Sequence, residues 1–165
     1  MPRALPSCPQ LGDDRGVLRR DSFQYSVQAR CPRAEVVALL GDPARQTELH
    51  PLITRVRRLP PRPGSLASYA ITDQLAAGPL RFGVTYQADV LVVTDDEIVT
   101  VARQRPATTV RNRTRLHDEP GGIVRVDVEI TLAAPAPLFP YAFRQARSAH
   151  LGLARRLGEV LGRAA

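Results

Sequence analysis

Apolar and polar residues alternate through most of the chain, and this alternation predicts a run of β-strands. The clearest case is the stretch Leu80 to Val93, in which apolar or aromatic residues occupy every second position from Leu80 to Val92. A period of two is typical of a strand with one buried face. Similar segments, bounded by turn-forming residues, predict further strands at 22–29, 52–59, 66–75, 97–105, 108–118 and 122–134.

A period of three to four residues marks the helices. From Phe139 to Leu161, apolar residues and His150 recur at this spacing, which predicts a long C-terminal helix with one apolar face. Two shorter helices are predicted after the first strand, one at Pro32–Gly41 and one that ends near Leu49.

This order of elements predicts an α+β fold. One strand, two short helices, six strands and a long helix indicate a curved antiparallel sheet of about seven strands around the C-terminal helix. Such an arrangement leaves a space between helix and sheet. Residues 1–20 are rich in Pro, Arg and Asp without periodicity and are predicted to be a disordered leader, whereas 21–165 form one domain.

The charge of the chain allows a polyanion-binding interpretation. The formal net charge is +7, and all 23 basic residues are Arg. However, a predicted hairpin pairs Arg113 with Asp127 and Arg111 with Glu129, so that the row that these arginines form with Arg115 is partly neutralised. We therefore favour a solvated outer sheet face over a specific nucleic-acid site.

The remaining composition excludes several classes. Two cysteines make neither a disulfide framework nor a zinc site, and no metal or other cofactor is expected. No apolar run approaches the length of a membrane span or forms a secretion signal, which predicts a cytoplasmic protein without membrane insertion. A homodimer is left open.

The front of the domain, "FQYSVQARCPRAEVVALLGDPARQTELHPLITRVRRL", and the terminal helix behind "APLFP" resemble the helix-grip proteins of the SRPBCC superfamily. This superfamily includes START lipid-transfer domains and bacterial polyketide cyclase/dehydrase proteins. The resemblance covers about residues 22 to 163. It implies a deep apolar cavity for a lipid, a polyketide or another hydrophobic molecule.

Several residues are candidates for contact with such a ligand. His150 interrupts the apolar face of the last helix, and either a core histidine bonded to a strand or a pocket residue fits that position. The other candidates are aromatic or polar side chains in phase with apolar strand faces or the helix face: Tyr69, Phe82, Tyr86, Asn112, Phe139 and Phe143.

Two further residues have alternative placements. Arg103 enters the cavity and binds the ligand if the face of Val99 and Val101 points inward, and it is a surface residue otherwise. His50 precedes Pro51, which favours an extended backbone. We expect His50 to turn a corner at the cavity rim and not to perform chemistry.

The function predicted first is non-catalytic binding of a hydrophobic small molecule between the C-terminal helix and the sheet. The alternative is a polyketide aromatase/cyclase or dehydratase, with His150, Tyr86 and Arg103 as acid or orienting groups. The sequence contains no recognisable catalytic set, and the enzyme interpretation requires at least two titratable side chains to converge in the cavity.

Overall fold

The structure is a computed structural model that describes residues 17–50, 52–77 and 80–162. Its elements follow the predicted order and confirm the α+β helix-grip architecture. They are β1 (Leu18–Ala29), α1 (Arg33–Leu40), a short 3-10 helix (Arg45–Glu48), β2 (Ile53–Leu59), β3 (Ala67–Ala77), β4 (Leu80–Val93), β5 (Glu97–Gln104), β6 (Thr108–Glu119), β7 (Ile123–Pro135) and α2 (Phe139–Gly162).

The seven described strands form one antiparallel sheet in the order β1-β7-β6-β5-β4-β3-β2. The strands β2 to β7 each lie next to the strand that follows in sequence, whereas β1 pairs with β7 from the far end of the chain. This pairing extends from Leu18, opposite Pro135, to Ala29, opposite Val124. The first and last strands are therefore neighbours, and the six strands β2 to β7 form a meander that places β2 at the other edge of the sheet.

The strand β1 begins earlier than the sequence predicts. Residues 1–16 of the predicted leader lie outside the described residues, but Leu18, Arg19 and Arg20 already belong to β1. Their alternation is hidden because two consecutive arginines follow Leu18, and these positions are instead fixed by backbone pairing with β7.

The register of the β6–β7 hairpin differs from the predicted pairing by two residues. Arg113 lies opposite Glu129, and Arg115 lies opposite Asp127. The turn between the strands contains Gly121 and Gly122, which both adopt positive φ angles, 81° and 73°. Because only glycine adopts such angles without strain, the two glycines set the turn, and the register follows from it.

The arginine row on this hairpin is partly neutralised, although by other partners than predicted. Arg113 forms an ion pair with Glu97 of β5, and the guanidinium nitrogen Nε of Arg115 lies 3.9 Å from the same carboxylate. The carboxylate of Glu97 thus lowers the net positive charge of this outer surface, which weakens its attraction to a polyanion.

The concave face of the sheet has a closed half and a more open half. Cα partners in an antiparallel sheet place their side chains on one face, so the register assigns the apolar residues of β1 and β7 to the side that α2 covers. The core in this half consists of buried residues of α1, β1, β6, β7 and α2, among them Val36, Val126, Ile130, Leu157 and Leu161. The C-terminal half of the helix is thereby anchored, and Phe139 anchors its start in a smaller cluster with Leu132 and Ala134 of β7.

We expect Leu157→Ala to lower the free energy of unfolding by about 2–5 kcal/mol, since it removes a fully buried side chain from the core. Val160, which is half exposed on the same helix, provides the matched control, and Val160→Ala should change stability by less than about 1 kcal/mol. Urea denaturation of both variants measures the difference. Equal losses would show that α2 is not anchored through its leucine face.

Candidate functional site

The candidate site lies where the concave faces of β3, β4 and β5 meet the N-terminal half of α2. The strand side chains Val84, Tyr86, Thr100 and Ala102 are less tightly covered here than in the closed half and retain partial exposure. On the helix, the partly exposed His150 lies between Ala146 and Leu153, which pack against the hydrophobic clusters. The register places the strand residues of this set on the same face as the core residues of β7. The more open half of the fold is therefore lined from both sides by apolar and polar groups.

Four titratable side chains from separate elements converge at this place. His50 follows the 3-10 helix, Asp73 lies on β3, Tyr86 lies on β4 and His150 lies on α2. The register supports this convergence, because Ile53 faces Asp73 and Ile71 faces Tyr86. The pKa values link the four groups in a chain: Asp73 shifts the pKa of His50 and of Tyr86, and His50 shifts that of His150. We call these four residues the polar cluster.

Three atoms of the polar cluster are buried without a hydrogen-bond partner among the described residues. They are Nδ1 of His50, Oδ1 of Asp73 and Nδ1 of His150. A buried polar atom without a partner costs about 1–3 kcal/mol, and such atoms are rare in folded proteins. Three of them in one cluster indicate a place where a bound molecule can supply the missing hydrogen bonds.

Burial determines the protonation of the cluster. Burial, together with a smaller contribution from the nearby His50, lowers the pKa of His150 to about 4. Burial also lowers the pKa of His50. The charge of Asp73 raises this pKa, whereas the charge of Arg156 lowers it. Both imidazoles are therefore neutral at pH 7, and each neutral ring offers one donor and one acceptor nitrogen.

Asp73 and Tyr86 form the second half of the cluster. Burial raises the pKa of Asp73, whereas His50 and the Tyr86 hydroxyl favour its charged form. The pKa of Tyr86 is raised by burial and by the Asp73 carboxylate, so Tyr86 keeps its proton. Since Oδ1 of Asp73 has no partner in the described chain, the carboxyl group can still accept a hydrogen bond.

An aromatic wall continues from the polar cluster towards the start of α2. The ring of Phe23 lies 6.0 Å from that of His150 and meets the Phe143 ring edge-on at 5.6 Å. Phe143 in turn stacks on Phe139 at 5.5 Å, and the Arg19 guanidinium covers the Phe139 ring at 5.1 Å. Among the predicted contact residues, Phe143 and His150 therefore lie along one continuous surface, whereas Phe139 is almost fully buried in the core.

Other predicted residues lie further from the cluster. Burial raises the pKa of the Tyr69 hydroxyl, and the neighbouring Asp42 acts in the same direction. Phe82 shares the concave face but is 43% exposed, near the start of β4. Asn112 faces Thr100 and Ile130 on the concave side, and its Oδ1 accepts a 3.1 Å hydrogen bond from the Thr114 hydroxyl.

The register decides between the two placements of Arg103. The register aligns Ala102 with Val110 and Ala88, so the concave residues of β5 are the even-numbered ones, and Arg103 points to the convex face. There it forms an ion pair with Asp89, a carboxylate that is 1% exposed. The physical reason is that the convex face near Asp89 is itself covered, which permits Val99 and Val101 to be buried on that side.

Asp73 is the member of the polar cluster that the sequence interpretation did not single out. It shares the phase of Tyr69 and Ile71 on β3, so its position on an inward face was readable from the alternation. An acidic residue in phase with an apolar face indicates either an edge of the core or a functional group. Its neighbours His50 and His150 are distant in sequence, and no local spacing connects the three.

Comparison with known proteins identifies the fold. The chain matches the di-domain ARO/CYC StfQ from the steffimycin biosynthetic pathway with a TM-score of 0.68 and 13% identity, covering 87% of this chain and 51% of that one. It therefore spans about half the length of that protein. A START superfamily protein from Mycobacterium smegmatis matches with a TM-score of 0.68 and 11% identity, over 87% of this chain and 99% of the other.

A third solved structure, norcoclaurine synthase from Thalictrum flavum, matches with a TM-score of 0.65 and 5% identity over 99% of both chains. These likenesses confirm the predicted helix-grip fold. No family model matches the sequence. No curated protein matches it either.

In the described part of the chain, neither helix has an apolar stretch long enough to cross a membrane.

We expect Arg103→Gln to destabilise the fold without affecting binding at the polar cluster. The Asp89 carboxylate is buried and keeps hydrogen bonds from the Ser68 hydroxyl (2.6 Å) and the Gln87 amide (3.2 Å), but it loses its only close cation among the described residues. The free energy of unfolding should fall by about 1–2 kcal/mol. The loss is limited because the Arg103 guanidinium is well exposed and water screens its charge. Urea denaturation measures it, and a changed affinity for a cavity ligand would contradict this placement.

We expect the stability of the protein to fall with acidification through His150. The folded-state pKa of about 4 lies below the ordinary value of 6.5, so the unfolded chain binds the proton more readily. Above pH 6.5, His150 is neutral in both the folded and the unfolded chain and does not lower the free energy of unfolding. As the pH falls towards 4, protonation of the unfolded chain lowers this free energy by at most about 3 kcal/mol.

The measurement is the free energy of unfolding from pH 7 to pH 4 for the wild type, His150→Leu and His117→Leu. The raised pKa of Asp73 acts with the opposite sign, but it is present in all three proteins. His150→Leu should show the flatter profile, whereas His117→Leu, whose side chain is 46% exposed beside Asp127, should follow the wild type. Parallel profiles for all three would mean that His150 is not buried in its neutral form.

Proposed function

We propose that this protein binds a hydrophobic small molecule, lipid-like or polyketide-like, between α2 and the concave faces of β3, β4 and β5. The observation that carries the proposal is the set of three buried polar atoms without partners, on His50, Asp73 and His150. A ligand with hydroxyl groups at this place satisfies them, because a hydroxyl donates to Oδ1 of Asp73 and can donate to or accept from a neutral imidazole, which removes the cost of the unpaired atoms and fixes the orientation of the ligand.

The apolar surroundings supply the affinity. Phe143 and Leu153 of α2 and Val84 and Ala102 of the sheet flank the polar cluster and retain partial exposure. Covering such surface contributes about 25 cal/mol per Å² of apolar area removed from water. The proposed ligand is therefore mostly apolar and carries a small number of oxygens close together.

A second candidate function is acid–base conversion of the same kind of molecule, as in a polyketide aromatase/cyclase or dehydratase. The observation that favours it is the convergence of four titratable groups whose pKa values are all displaced by burial. The solved ARO/CYC protein StfQ has the same fold and lends this candidate support by analogy.

The first test is native mass spectrometry of the freshly purified protein, followed by organic extraction. A retained lipid-like or polyketide-like mass supports the carrier function and gives the ligand class. Binding is then measured by titration with the extracted compound or, if none is retained, with the apolar dye anilinonaphthalene sulfonate.

A pair of neighbouring substitutions on β4 locates the binding site. We expect Val84→Trp to weaken dye or ligand binding at least tenfold, because the indole fills space on the concave face. Thr85→Trp should leave binding within about twofold, since Thr85 is exposed on the convex face, where its hydroxyl contacts that of Thr72. Equal effects of the two substitutions would place the ligand elsewhere.

A further inference from the structure

The histidine at the corner before β2 has the environment of a proton acceptor. We propose that His50 is the general base of this site, that Asp73 is its positioning residue, and that the substrate is a hydrophobic compound with a C–H bond next to a carbonyl group. This inference rests on the proposed function, because it requires that such a molecule enters the space beside α2.

The backbone on both sides of His50 is fixed by hydrogen bonds. Its amide donates to the Gln46 carbonyl at 2.9 Å, and its own carbonyl accepts from the Ile53 amide at 3.1 Å. The Gln74 amide donates to the Leu52 carbonyl at 2.7 Å, which fastens this segment to β3 directly beside Asp73. The backbone that carries the imidazole is thus held in place, and Nδ1 of the ring is buried without a hydrogen-bond partner among the described residues.

The charges around His50 distinguish it from His150. Asp73 of β3 raises the pKa of His50 against the effect of burial, and Arg156 of α2 lowers it. Tyr86 of β4 keeps its proton beside Asp73. The pKa of His150 is lowered both by burial and by His50, and no carboxylate of the described residues opposes this shift. Of the two imidazoles, His50 is therefore the better base, since its protonated form is stabilised by a neighbouring negative charge.

The proton transfer balances without a cofactor. Nδ1 of neutral His50 removes the proton from the carbon, and the electron pair of the C–H bond moves into the carbonyl group to give an enolate. The Nδ1–H tautomer of neutral His150 donates a hydrogen bond to the enolate oxygen. The imidazolium of His50 then returns the proton, either to carbon or to an oxygen generated by attack of the enolate on a second carbonyl group.

A nitrobenzisoxazole tests this chemistry without knowledge of the natural substrate. A base removes its single ring C–H proton, the N–O bond breaks, and a nitrile and a coloured phenolate form. We expect saturable phenolate release by the wild type, with a rate that falls on acidification as His50 becomes protonated. His50→Gln should lower kcat/KM about 100-fold, within the range typical of general bases.

Asp73→Asn tests the positioning role separately. Removing the carboxylate should move the midpoint of the acidic limb of the pH–rate profile to lower pH by about one pH unit, because the imidazolium loses its negative neighbour. His117→Gln, on the convex face of β6, is the control and should leave rate and profile unchanged. Dye binding by each variant confirms that the cavity and the fold persist.

The outcomes separate this inference from the proposed function. If the wild type binds the dye but does not release phenolate, or if dye-binding His50→Gln retains the wild-type rate, His50 is not the base and the binding function stands. A pH profile that is unchanged in Asp73→Asn overturns the role of Asp73. If neither dye nor nitrobenzisoxazole binds, the proposed function fails, and this inference fails with it.

Discussion

The pairing of β1 with β7 is the constraint on which the rest of the structure depends. It joins residues 95 to 117 positions apart over the full length of both strands, from Leu18 with Pro135 to Ala29 with Val124. Because α2 packs on these two strands, the same pairing determines where the helix lies. The backbone amide of Arg30 donates to the Leu161 carbonyl at 3.0 Å and ties the end of the helix to the end of β1. The opposite half of the concave face, on β3, β4 and β5, is less covered by the helix.

This asymmetry explains why the polar cluster is tolerated. Polar atoms without partners are expensive in a tightly packed core, and the closed half of the fold has none among the described side chains. The three that exist lie on residues at the more open half, where His50, Asp73 and His150 approach one another from three separate elements. Stability and the candidate function thus occupy different halves of one layer.

The sequence predicted the fold well, because periodicity identifies both the strands and the long helix without knowledge of their partners. It also placed His150 on the buried face of α2. It could not orient β5, since both faces of this strand carry apolar residues and the convex one is covered near Asp89. It did not bring His50 to His150 and Asp73, because that proximity arises from the way β2 and β3 are joined and from the position of the helix. The hairpin register required the φ angles of Gly121 and Gly122, which decide the turn.

The division of the concave face also affects how such a protein can change over time. Substitutions at Val84, Thr100 or Ala102 alter the shape of the space beside α2, yet none of the three residues belongs to the main core that contains Leu157. Distant effects on stability are generally additive and small. New ligand preferences can therefore accumulate at these strand positions while folding is maintained by β1, β7 and the end of the helix, which makes the fold a favourable starting point for divergence and for engineering of altered specificity.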